Sequence, residues 1–221
     1  MITTLLCCSF LSGCNYNAYP KDQPLHISST TNLPIVRPSG LASDNVVIPY
    51  DAYVYDDADF EYEAGLLINQ TKNSVVCAVN PHKQIYPASM TKILTAVVVM
   101  DAINSGSISL NDTVIIQKKI EFNEENVTAL GLEPGDYITV NELLHGLLIS
   151  SYNDCAIALA RYVAGSVNDF VDLMNQKASQ LGATNSHFVN PHGLHDNNHY
   201  TTPYDLYLIF KEFLRNDTLV Q

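Results

Sequence analysis

The chain has 221 residues, a formal charge of −12 and 47% hydrophobic residues. That length and apolar share suffice for one buried core, and the acidity excludes a nucleic-acid partner gripped through a basic surface. The 5 cysteines are too scattered for a disulfide framework: Cys7, Cys8 and Cys14 crowd the amino terminus, while Cys77 and Cys155 sit in apolar stretches, where cysteine behaves as a small core residue.

Met1 to Gly13 is apolar and rich in small residues, and Leu11-Ser12-Gly13-Cys14 resembles a lipobox, whose cysteine is acylated and becomes the mature amino terminus. No Lys or Arg precedes the apolar run, and the segment is too short to cross a bilayer as a helix. The expectation is a lipoprotein-type signal peptide over 1–14. A lipid on Cys14 would then hold an exported protein at the membrane, on the periplasmic or extracytoplasmic side of the cell envelope.

Residues 15–63 hold half of the 10 prolines and end in the acidic, tyrosine-rich run Asp51 to Glu63. This composition predicts a disordered tether, with carboxylates that repel one another in water and do not form an ion-binding loop. The folded part is expected over 64–221. Ala64 to Ile68 and Val75 to Val79 read as two short strands around the turn Gln70-Thr71-Lys72-Asn73.

Pro87-Ala88-Ser89-Met90-Thr91-Lys92 then runs into Ile93 to Met100, which is apolar nearly all round and so predicts a buried helix. Ser89 and Lys92, three residues apart, share one helix face within side-chain reach. A lysine that opens a buried helix requires a reason beyond solvation, because an unpaired buried ammonium is costly. One such reason is chemistry: a lysine whose pKa is depressed by burial and by the positive helix end serves as the base that activates a serine hydroxyl.

Thr139-Val140-Asn141-Glu142 reads as a capping box that opens a helix through Leu143, Leu144, Leu147 and Leu148. Ser150 to Asn153 interrupt the pattern, which resumes from Asp154 to Ala164 and closes at Gly165. Ser151 and Asn153 thus sit at a corner, where a hydroxyl and an amide can pass a proton and hold a substrate amide. Thr202 and Pro203 open a further helix.

With these motifs in order, the chain resembles the serine-type D-Ala-D-Ala carboxypeptidases, the low-molecular-mass penicillin-binding proteins. The likeness runs from about Ala64 to Leu214. It includes Leu147 to Asp154, Met174-Asn175, Phe188-Val189-Asn190-Pro191-His192-Gly193-Leu194 and His199-Tyr200-Thr201-Thr202 leading to Asp205-Leu206. It implies the α+β DD-peptidase/β-lactamase-like transpeptidase fold, a helical cluster against an antiparallel sheet. It further implies Ser89 as the acylated nucleophile, Lys92 as its general base, Ser151 as proton relay and Asn153 as ligand for the substrate amide. No metal or organic cofactor is implied. The implied partners are peptidoglycan stem peptides and β-lactam antibiotics.

The resemblance also calls for Lys-Thr-Gly or Lys-Ser-Gly on a strand edge to bind the substrate carboxylate. No lysine here is followed by either pair. The expectation is a catalytic domain lacking its C-terminal strands, unstable alone or reliant on a partner that supplies them. Three other readings stay open. A non-catalytic, peptidoglycan-binding envelope lipoprotein would account for the missing motif. A serine β-lactamase would share the Ser-Lys pair, although Tyr152 stands where that class carries aspartate and the only glutamate after Asn153 is Glu212. A zinc site could use His192, His195, Asp196 and His199.

Overall fold

The computed structural model describes Val46, Ile48 and residues 63–220. The expected signal peptide, the Cys14 lipid site and all of the expected tether except Val46, Ile48 and Glu63 lie outside the described residues. The described residues fall into two compact units, divided between Lys83 and Gln84.

In the first unit, strands β1 (Gly65–Asn69) and β2 (Ser74–Val79) pair antiparallel, with a register shift between Leu67 and Ile68. Asn69 ends β1 because its side chain accepts from the Lys72 amide at 2.9 Å, and Asn73 closes the turn with φ of 47°. The expected hairpin is present, displaced by one residue. Lys83 and Glu63 form an ion pair of 2.6 Å beside the hairpin.

The second unit is built around helix α1 (Thr91–Asn104), entered through a 3₁₀ turn at Ala88–Met90. Three consecutive valines, Val97 to Val99, have only modest helix propensity, so tertiary burial outweighs local preference. Thr91, Lys92 and every residue from Leu94 to Met100 are buried. Helices α2 (Val140–Leu148), α3 (Asn153–Ala164), α4 (Val167–Gln180) and α5 (Pro203–Phe213) all pack on α1. Helix α6 (Asp217–Val220) follows α5. Leu94, Val99, Leu143, Leu147, Leu159, Phe170, Met174, Phe188 and Ile209 form the centre of the core. Each such side chain contributes about 1.5–3 kcal/mol by leaving water.

The capping box is present in full. Glu142 N donates to Thr139 Oγ1 at 3.2 Å, and Thr139 N donates to Glu142 Oε2 at 2.8 Å. Asn153 belongs to α3, so the corner expected to end at Asn153 covers only Ile149 to Tyr152. Strands β3 (Thr113–Ile115) and β4 (Tyr137–Thr139), which pair antiparallel, were not expected; at three residues each they are too short to show alternation.

Two links hold the loop between α4 and α5. Asn175 donates to the Phe188 carbonyl at 2.8 Å and accepts from the Phe188 amide at 2.9 Å. Ile85 and Thr201 exchange backbone bonds of 2.8 and 2.9 Å, which pins this loop to the segment leading into Ser89. Thr202 caps α5, accepting from Asp205 N at 3.1 Å while 1% exposed. Thr202→Val leaves that buried amide without its acceptor and is expected to cost about 1 kcal/mol. Urea unfolding checks this, with a lower midpoint at unchanged slope as the expected outcome.

Candidate active site

Ser89 lies exposed in the 3₁₀ turn that enters α1, whereas Lys92 is 2% exposed on the first turn of α1. Lys92 Nζ is 3.0 Å from Ser89 Oγ, 2.9 Å from Asn153 Oδ1 and 2.8 Å from the His192 carbonyl oxygen. Asn153 is buried, and its amide nitrogen donates to the Thr128 carbonyl at 3.0 Å. The sequence-predicted residues Ser89, Lys92 and Asn153 are therefore brought together. Ser151 stands at the corner before α3 with φ of 57°, a conformation that costs free energy for a residue with a Cβ. It makes no hydrogen bond to the other three.

Burial pushes the Lys92 ammonium down from 10.5 to about 8. Burial, and then the charge of Asp154, pushes the Cys155 thiol up to about 12, so it is uncharged at neutral pH and offers Lys92 no anion. The main cause is thus desolvation.

The three partners of Lys92 differ in one respect. Asn153 Oδ1 and the His192 carbonyl accept only, whereas Ser89 Oγ carries a proton. Neutral Lys92 has two N–H groups and one lone pair. If the two acceptors take the N–H groups, the lone pair faces Ser89 Oγ. The arrangement turns a buried amine towards a single exposed hydroxyl, as proton abstraction requires.

The 190–195 loop places the His192 carbonyl. Asn190 Oδ1 accepts from the Gly193 amide at 2.6 Å, and Asn190 Nδ2 donates to the Leu194 carbonyl at 2.9 Å. Thr95 Oγ1 donates to the Pro191 carbonyl at 2.6 Å, which seats the loop on α1. Gly193 has φ of +87°, and a Cβ there would fall on the Ala88 carbonyl and within 2.9 Å of Thr91 Oγ1. Only glycine lets this loop touch the turn that carries Ser89.

The clustered histidines make hydrogen bonds and ring contacts. His199 is 2% exposed; its Nδ1 accepts from Val189 N at 3.1 Å, which leaves Nε2–H to donate to Thr91 Oγ1 at 2.8 Å. Burial lowers its pKa to about 4, so it is a neutral strut beneath the Ser89 turn. His192 Nδ1 accepts from Leu194 N at 3.1 Å, and its ring meets Phe122 edge-on. The His195 ring meets Tyr86 in the same way. No group of three His, Cys, Asp or Glu side chains among the described residues is arranged to hold a metal ion.

The sequence profile of the S11 peptidases, described as D-alanyl-D-alanine carboxypeptidase, matches residues 52–221. The chain belongs to this D-alanyl-D-alanine carboxypeptidase family. It is 36% identical over 166 residues to the D-alanyl-D-alanine carboxypeptidase DacF of Bacillus subtilis, covering 73% of this chain and 41% of that protein. Penicillin-binding protein 6B of Escherichia coli superposes with a TM-score of 0.61 at 33% identity, covering 65% of this chain and 46% of that one. Penicillin-binding protein D2 of Listeria monocytogenes, solved in a cefotaxime-bound form, shares the fold, with a TM-score of 0.64 at 22% identity over 73% of this chain and 65% of that one. The chain spans about two-fifths of the length of the curated relatives it matches first. The family members share the α+β penicillin-binding-protein fold, so the expected fold class is the one found.

Sequence reasoning missed the His192 carbonyl, Gly193, His199, Thr128 and Asp154 as parts of the site. A glycine directly after Asn-Pro-His was the one legible sign of close backbone approach. A carbonyl oxygen carries no sign at all, since every residue has one.

Proposed function

We propose that the protein is a serine-type D-Ala-D-Ala carboxypeptidase that shortens peptidoglycan stem peptides through an acyl-enzyme on Ser89. The observation that carries this reading is Lys92, buried with its pKa lowered to about 8, held by two acceptors and with Nζ 3.0 Å from Ser89 Oγ, so that on losing a proton it can turn its lone pair to that hydroxyl. Lys92 takes the hydroxyl proton as Ser89 Oγ bonds to the carbonyl carbon between the two D-alanines. Ser151 gives its proton to the nitrogen of the departing D-alanine as the C–N bond breaks, and the proton held by Lys92 replaces it, so that Lys92 is neutral again. Water then attacks the ester, releasing the shortened peptide and restoring the Ser89 hydroxyl. Asn153 spends one Nδ2 proton on Thr128; its second is free to hold a substrate carbonyl.

β-Lactams acylate the same serine in this reading, since their strained ring amide presents a carbonyl carbon to Ser89 Oγ where the peptide presents its own. Release by a β-lactamase route finds no support in Glu212, whose carboxylate is engaged by Lys177 at 3.5 Å and Arg215 at 3.3 Å. No metal or organic cofactor enters any step. The proposed setting is the cell envelope, with the protein tethered through a lipid on Cys14.

The test is the pH profile of D-alanine release from a pentapeptide ending in D-Ala-D-Ala. Only neutral Lys92 can accept the proton, so kcat/KM should rise about tenfold per pH unit below 8 and level off above it. A rate flat between pH 6 and 8 would remove Lys92 as the base.

A further inference from the structure

Asp154 follows Asn153 and takes no part in the steps above, yet it is 2% exposed and saturated with donors. Its Oδ1 accepts from Leu130 N at 3.0 Å, and its Oδ2 accepts from Gly131 N at 2.8 Å and Leu132 N at 3.1 Å. Cys155 N adds a fourth bond, to Oδ1, at 3.0 Å. Three consecutive amides curl around one carboxylate because Gly131 takes a φ of +89°, which makes the loop a backbone nest closed on an internal anion.

That loop has a second end. Two residues before Leu130, the Thr128 carbonyl accepts from Asn153 N at 2.9 Å and from Asn153 Nδ2 at 3.0 Å. The Asn153 amide has two orientations related by a flip. In one, Nδ2 faces the Thr128 carbonyl and Oδ1 faces Lys92 Nζ. In the other, two oxygens oppose each other and two donors oppose each other, a buried clash on both sides. The Thr128 carbonyl therefore selects the orientation that directs Lys92.

We propose that Asp154 is a positioning residue for the Ser89–Lys92 pair: it holds the 128–132 loop, whose Thr128 carbonyl orients the Asn153 amide towards Lys92. Its consequence for catalysis rests on the reading of Lys92 as base; the hydrogen-bond linkage does not, and the two are measured separately.

The experiment is solvent exchange by NMR on the isotope-labelled chain carrying Asp154→Asn, which keeps the shape but places N–H against N–H. Release of the Leu130 to Leu132 amides together with about tenfold or faster exchange of the Asn153 side-chain amide is the expected result. Loop amides that stay protected, or loop release with the Asn153 amide exchanging as in the wild type, overturn the proposal. Should Asp154→Asn fail to fold, Gly131→Ala reads the same linkage. Its Cβ meets nothing within 4 Å, and only the backbone φ is strained. Penicillin acylation supplies the catalytic readout: Asp154→Asn should slow it in the wild-type background and add nothing in an Asn153→Ala background. Additive losses in the double variant contradict action through Asn153, whereas loss of the Lys92 reading alone leaves the exchange result standing.

Discussion

Lys92→Met should lower the rate of acylation by penicillin by about 10²–10⁴-fold, the contribution of a positioned general base. Methionine keeps the length of the stem and its burial, so circular dichroism and the unfolding midpoint at neutral pH should report an intact fold. The same variant has a second signature. The folded-state pKa of Lys92, about 8, lies below its ordinary 10.5, so the unfolded chain binds more protons between those values. Burial of this lysine therefore costs stability in full below pH 8, and stability is regained as pH rises through 8 towards 10.5. That gain is at most about 3 kcal/mol, and it should be absent from Lys92→Met in urea titrations over this range. Acylation that persists near neutral pH would show that another group activates Ser89.

Gly193→Ala is the second large effect. The new Cβ would occupy the Ala88 carbonyl, at a φ of +87° that alanine itself resists. Either the 190–195 loop withdraws, taking the His192 carbonyl from Lys92, or the Ser89 turn shifts away. Overpacking and backbone strain together should cost about 3 kcal/mol or more. A displacement near 1 Å at Ser89 should slow acylation by about 10²-fold. Gly165→Ala is the control, because its φ of +80° is similar but its Cβ would meet nothing within 4 Å. It should cost about 1 kcal/mol and leave acylation unchanged. Equal effects from the two substitutions would mean that Gly193 matters only for its backbone angle.

What could be read in advance follows from the range of each interaction. Ser89 and Lys92 are three residues apart, so helix geometry alone pairs them, and the apolar run behind them announces burial. The capping box at Thr139 and Glu142, the Gly165 terminus and the Asn73 turn are likewise local, and all three are found where expected within a residue. The lowered pKa was legible in direction, with burial rather than the helix dipole as its principal cause.

Contacts made across long stretches of chain were not legible. Lys92 meets a carbonyl 100 residues away, and Thr91 meets His199 across 108. Neither follows from any periodic pattern. The clustered histidines invited a zinc reading because composition shows donor types and not their directions. In the structure both ring nitrogens of His199 and Nδ1 of His192 already serve Val189, Thr91 and Leu194. Helix α4 was noted only at Met174-Asn175, although the Ser166 cap and the buried spacing of Phe170, Met174 and Ala178 carry its signal.

Mass mapping of the penicillin adduct decides whether Ser89 is the nucleophile. The full-length protein is incubated with penicillin, digested and searched for the acyl mass on each serine-containing peptide. The adduct is expected on Ser89 and should disappear in Ser89→Ala. An adduct on any other serine, or labelling that survives Ser89→Ala, would contradict that assignment.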